Sequence, residues 1–270
     1  MTGGTIVIPD AGSHPLPPYR GLLAVDVVRF TDNRDRYLPE LSAMLPEVLE
    51  QALSRCGQDR IWQEKRFPEL PGDGYVFGIA PQYLPFLIHP FLDSLQATLW
   101  ELLPSLRARD RALTMRLRAS IHVGPVYDLD DPLRDRKGKT TNDAFRLLNS
   151  DQLREVMAHA EPDVTLVGAM ISERVFQDVV EGGYTAVHAS QFRRVAAEVP
   201  EKNFKQHAWI YVPRLTFLDG APGTDGRTAG KRDGRTDEQA VTGASAAFHE
   251  RVGQAFTGGT FHGDFTFGET

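Results

Sequence analysis

The run Leu22-Leu23-Ala24-Val25-Asp26-Val27-Val28 constrains this chain more than any other stretch. Apolar residues on both alternations mark a strand buried on both faces, hence a central strand covered by other elements. Asp26 stands inside that run, where an unpaired carboxylate costs several kcal/mol (roughly 2–7 for a polar group, more for a charge). It therefore needs a counter-charge or a metal ion. A second acid sits in Pro71-Gly72-Asp73-Gly74-Tyr75-Val76-Phe77. Gly72 and Gly74 supply the backbone freedom of a tight hairpin, and Tyr75 to Phe77 read as the strand leaving it. Alone, this is an ordinary Asp-Gly turn. Beside Asp26 it suggests two strands delivering carboxylates to one point, where one or two magnesium ions would be completed by phosphate oxygens and water.

At 270 residues and 41% hydrophobic content the chain can bury a full core, as one large domain with appendages. A net charge of −6, with the basic residues scattered, speaks against a nucleic-acid-binding surface. Cys56 is the only cysteine, which excludes an internal disulfide and a thiolate zinc site. No apolar run reaches the roughly 20 residues of a bilayer span. The start of the sequence lacks the charged and apolar regions of a signal peptide, so a cytoplasmic location without membrane contact is expected.

Residues 1–19, dense in Gly, Pro and Ser, are expected to form a loosely held arm. A strand over 21–31 follows, then an amphipathic helix over 35–56 with Leu38, Leu41, Leu45, Leu49 and Leu53 in register. Pro39 and Pro46 fall near its first turns or kink it. After the hairpin, 82–106 is helical with interruptions at Pro85 and Pro90. Alternation of Met115, Leu117, Ala119 and Ile121 with Arg116, Arg118 and Ser120 predicts a strand within 113–126. A helix over 140–159, a strand over 164–169, a short helix over 172–180, and strands over 192–199 and 208–212 complete the core. Strands interleaved with helices on one side imply an α/β (α+β) sandwich over 20–214. The Gly-, Asp-, Thr- and Arg-rich stretch 215–248 reads as a linker. The tail 249–270, with Phe261, Phe265 and Phe267, reads as a frayed end or as a strand that docks on a sheet edge or a protein partner.

The helix after Gly138 begins with hydroxyl residues suited to capping. Asn142 and Arg146 lie four apart and share one face, while Ala144, Leu147 and Leu148 supply a core face. An amide and a guanidinium at that spacing suit a phosphoryl group, because the guanidinium stays charged and offers forked donors. A solvated helix face with an incidental Arg accounts for the same spacing.

Four blocks in order, Asp26-Val27-Val28-Arg29-Phe30-Thr31, Pro71-Gly72-Asp73-Gly74, Ser120-Ile121-His122-Val123-Gly124-Pro125-Val126 and 138–147, resemble the class III nucleotidyl cyclase domain of adenylyl and guanylyl cyclases, in its bacterial branch. The resemblance spans about 21–212 and implies a ferredoxin-like, mostly antiparallel sheet with flanking helices. By this likeness, Asp26 and Asp73 match the metal-binding aspartates, with the Val27 carbonyl as a further ligand, and two Mg2+ or Mn2+ ions per site. Asn142 and Arg146 match the pair that orients the ribose and stabilises the transition state. Lys202 matches the lysine that holds the triphosphate, with Lys205 as competitor. His122 is read as structural. The family's acids and its Asn/Arg pair come from different subunits, which implies a homodimer.

Glu69 and Asp135 fall at the family's base-reading positions. Adenylyl cyclases usually carry Lys with Asp or Thr there and guanylyl cyclases Glu with Cys, so the base is left open among ATP, GTP, CTP and UTP. Some bacterial relatives make cyclic pyrimidine nucleotides in anti-phage signalling, which keeps that role among the expectations. The competing reading is a cyclase-like module that binds nucleotide or a partner without turnover.

Overall fold

The computed structural model describes residues 12–127 and 138–216. Every described residue belongs to one compact unit, within Met1–Pro222. The expectations for 1–11, for Asp135, and for the linker and tail from 217 onward lie outside the described residues.

One seven-stranded sheet runs in the order β2-β3-β1-β4-β5-β7-β6. Its strands are β1 (Tyr19–Val27), β2 (Arg66–Glu69), β3 (Gly74–Ile79), β4 (Leu117–Pro125), β5 (Val167–Ser172), β6 (Arg193–Val199) and β7 (Phe204–Tyr211). All neighbours pair antiparallel except β4 and β5. The helices are α1 (Leu38–Arg55), α2 (Asp59–Gln63), α3 (Leu84–Phe86), α4 (Leu92–Arg109), α5 (Lys139–Leu148), α6 (Asp151–His159) and α7 (Glu173–Val175). Among the described residues, no helix is long and apolar enough to cross a membrane.

The double-sided apolar run places β1 between β3 and β4, as its composition requires. Leu23, Val25 and Val27 enter the main core with Leu41, Leu45, Leu49 and Leu53 of α1 and Leu92, Leu95 and Leu99 of α4. Each such leucine, fully buried, contributes about 2 kcal/mol. Leu22 and Ala24 face the other way, against Ala144 and Leu148 of α5. Helices therefore cover both faces of the sheet, a correction to the one-sided arrangement expected from the order of the elements. Sequence order does not say on which face a crossover lands.

A second correction concerns 140–159, which forms two helices. Ser150 adopts an extended conformation (φ −63°, ψ 144°) ahead of α6, and its buried hydroxyl donates to the Leu147 carbonyl at 2.8 Å. The long helical stretch before α4 breaks at His89, whose backbone is extended, next to Pro90. Pro46 is carried within α1.

Two glycines set how closely helices approach the far face. A Cβ on Gly124 would stand 2.7 Å from the Thr140 hydroxyl, which itself donates to the Pro125 carbonyl at 2.7 Å. That contact seats the start of α5 on the end of β4. A Cβ on Gly168 would stand 2.5 Å from the sulfur of Met157, so α6 rests directly on β5. Ser120 adds a buried hydrogen bond, 2.8 Å to the Ala144 carbonyl.

Candidate functional site

The last turn of β1 brings the two acids together. Asp26 pairs in register with Gly74 on one side and Arg118 on the other. Its side chain shares the face of Leu22 and Ala24, the face that α5 and α6 cover. The Asp73 carbonyl accepts from the Val27 amide at 3.2 Å, and the turn closes with Gly74 N–H donating to the Pro71 carbonyl at 3.1 Å. Ser42 of α1 donates to the Gly72 carbonyl at 3.0 Å, while Gly72 takes φ +63°. A Cβ on Gly74 would lie 2.8 Å from the Val25 carbonyl, so a side chain there would push the turn away from β1.

Asp26 is 7% exposed, and Arg118 answers its charge with a forked contact, Nε to Oδ1 at 2.8 Å and Nη2 to Oδ2 at 2.6 Å. Burial raises the Asp26 pKa, Arg118 opposes that shift, and the charge of Asp73 adds to it. The acids thus sense each other electrostatically. Sequence reasoning did not assign Arg118 to Asp26, because pairing needs the β1–β4 register; its place on the polar alternation of β4 was the available signal.

The donor set suits a hard cation. Magnesium takes one or two carboxylates and fills its remaining positions with phosphate oxygens and water. Among the described residues no cluster of three or more His, Cys, Asp or Glu could hold a metal. Asp26, Asp73 and the Val27 carbonyl would therefore hold a cation only together with ligand oxygens, and Arg118 is the resident counter-charge.

Three of the other predicted residues, Asn142, Arg146 and Lys202, gather elsewhere on the same face. Asn142, Phe145 and Arg146 of α5, Arg154 of α6, and Glu201 and Lys202 line a cavity of about 500 Å³. Arg146 is fixed by the buried Asp143 carboxylate at 3.1 Å, and its guanidinium lies 5.6 Å from the centre of the Phe204 ring. Lys202 ends a tight helical turn, and Asn203 in the left-handed region (φ 47°) returns the chain to β7. Lys205 forms an ion pair with Glu198 at 2.6 Å and does not line this cavity. Of the two lysines left open by the sequence, Lys202 is the one placed on the cavity wall. Arg154, Phe145 and Asn149 are lining residues that sequence reasoning missed. Arg154 lies eight positions beyond Arg146, a spacing that would have pointed to it on one continuous helix.

Glu69 is exposed at the end of β2, where the pairing with β3 shifts register and Phe67 takes φ +37°. The Phe67 ring lies over Gly78, whose Cβ would meet it at 2.2 Å. His122 is half-buried beneath the start of α5. Its pKa is lowered to about 4, chiefly by burial, and its Nδ1 has no hydrogen-bond partner.

No protein-family model and no curated protein matches the chain. Solved structures do. The chain is similar to adenylyl and guanylyl cyclase domains. The guanylyl cyclase Cya2 shares 16% identity, with 75% of this chain and 94% of that one covered and a TM-score of 0.46. The adenylyl cyclase CyaB from P. aeruginosa shares 15% identity, with 76% and 98% covered and a TM-score of 0.47. The adenylate/guanylate cyclase/hydrolase from Silicibacter pomeroyi shares 16% identity, with 73% and 97% covered and a TM-score of 0.39.

Proposed function

We propose that the protein is a nucleotidyl cyclase, which converts a ribonucleoside triphosphate to a 3′,5′-cyclic mononucleotide and pyrophosphate. One observation carries the reading. Asp26 and Asp73 converge at one corner of the sheet face that also presents Asn142, Arg146 and Lys202 in a single cavity. The four sequence blocks in family order agree with it.

In this reading the 3′-hydroxyl gives its proton to solvent as its oxygen attacks the α-phosphorus of the same nucleotide, and the bond to pyrophosphate breaks. Asn142 orients the ribose through its amide. Arg146, its guanidinium already aimed by Asp143 and Phe204, stabilises the negative charge that builds on the phosphoryl oxygens. Lys202 holds the phosphate tail. Asp26, Asp73 and the Val27 carbonyl would hold a divalent cation, which would supply Lewis-acid stabilisation of the reacting phosphates. Positioning and electrostatics account for most of the acceleration in such phosphoryl chemistry. In the family the acids and the Asn/Arg pair of one site come from different subunits, so this reading implies a homodimer in which the acid corner of one copy meets the Asn142/Arg146/Lys202 cavity of the other.

A second reading has its own observation. Both oxygens of Asp26 are taken by Arg118, which suits a module that binds nucleotide without turning it over. Incubation with each of the four triphosphates and manganese or magnesium, followed by mass analysis, decides between them and assigns the base. A cyclic mononucleotide absent from Asp73→Ala is expected; no product from any triphosphate would leave the binding module.

A further inference from the structure

Between the end of β1, the start of β4 and α6 lies a second cavity, of about 410 Å³, lined by Val28, Arg29, Arg116, Arg118, Arg154 and Met157 among others. Four guanidiniums border it. Arg118 is neutralised by Asp26. Arg116 is buried, and its Nε and Nη2 donate to the carbonyls of Thr165 and Met157, both at 2.9 Å. Carbonyls satisfy hydrogen bonds but carry no net charge, so Arg116 stays a buried cation, with Glu161 and Asp163 as its carboxylate neighbours. Arg29 and Arg154 present the accessible guanidiniums. The nearest carboxylate to Arg29 is the exposed Asp32 at 3.8 Å. Arg154 donates to the Asn149 side chain at 3.0 Å and lies 3.8 Å from the exposed Asp151.

The backbone adds an independent observation. Arg29 takes φ 52°, ψ 44°, the left-handed region that residues with a Cβ avoid and glycine accepts. The side chain is kept there against a conformational cost, directly after the acid corner. Like charges crowded around one cavity repel, and an anion with several oxygens relieves that repulsion while filling forked donors.

We propose that this cavity is an anion site in which Arg29 and Arg154, above Arg116 and Arg118, take a phosphate or pyrophosphate group. Arg154 also lines the larger cavity, so one guanidinium faces both. The site itself is independent of the cyclase reading; assigning its anion to the tail of a nucleotide rests on that reading.

The experiment is titration calorimetry of the full chain with inorganic pyrophosphate in EDTA. Saturable binding is expected, weakened about tenfold in Arg154→Gln and about tenfold in Arg29→Gly. The glycine variant should also melt at a higher temperature, since it relieves the left-handed residue, so its weaker binding cannot come from misfolding. Lys205→Gln, paired with Glu198 and lining neither cavity, should bind pyrophosphate as the wild type does. Absence of saturable binding in the wild type, or an affinity indifferent to Arg29→Gly and Arg154→Gln, would overturn the site. Displacement of pyrophosphate by a metal-free nucleoside triphosphate, and not by the nucleoside, assigns the anion to the substrate tail; no displacement assigns it to a free inorganic anion. Pyrophosphate binding without turnover would sink the cyclase reading alone, and turnover without pyrophosphate binding the anion site alone.

Discussion

The acid corner and the Asn142/Arg146/Lys202 cavity share one sheet face but are built on opposite principles. At the corner, Asp26 is buried, paired in a fork with Arg118, and fixed by strand register on two sides. In the cavity, Asn142 and Lys202 are exposed, and Arg146 is anchored by one carboxylate and one ring. The first couples chemistry to folding stability. The second separates them, so its residues can change with little effect on the fold.

The sharpest way to break this contrast is at Asp26. Asp26→Ala strands the Arg118 guanidinium in a buried place and should cost about 3–5 kcal/mol in chemical denaturation, as for other broken buried pairs. Asp73→Ala, in a half-buried turn, should stay within about 1 kcal/mol of wild type on the same measurement while abolishing product. Equal losses of stability would erase the distinction. Next in size, Arg146→Ala should lower turnover by about 10²–10³, the range for losing one transition-state donor, with the melting temperature nearly unchanged.

Acid should act through the packing beneath the start of α5. His122, beneath α5, has a pKa of about 4 when folded against 6.5 for the free side chain. Below pH 6.5 the unfolded chain takes up a proton that the folded chain refuses, so stability falls as pH drops toward 4 and levels off below it. That difference corresponds to up to about 3 kcal/mol, and His122→Gln should flatten the slope in denaturation curves recorded across this range. The smallest effect concerns the lysines. Lys202→Gln should raise the nucleotide KM about fivefold, the loss of one exposed charge contact of roughly 1 kcal/mol, while Lys205→Gln leaves it unchanged.

What the sequence disclosed follows the same division. Asp26 stood out because a charge in a doubly apolar run has no packing explanation, and Asp73 because glycines flank it. The alternation of β4 correctly put Arg116 and Arg118 on one face and Leu117 and Ala119 in the main core. Their partners stayed hidden, because Arg118 meets Asp26 only through a register between strands 92 residues apart. The split of 140–159 was hidden for a different reason: apolar spacing continues through Leu147, Leu148, Leu153 and Met157, and only a serine side chain marks the break. The second face of helices, and with it the cavity shared through Arg154, depends on that break.

Gly168 acts through what it lacks. With no side chain to act as a spacer, the strand lets α6 settle until the Met157 sulfur touches the main chain, and Arg154 rides on that same helix less than one turn away. A single added methyl would act like a shim under a lever, tilting the guanidinium away from both cavities though neither contains the altered residue.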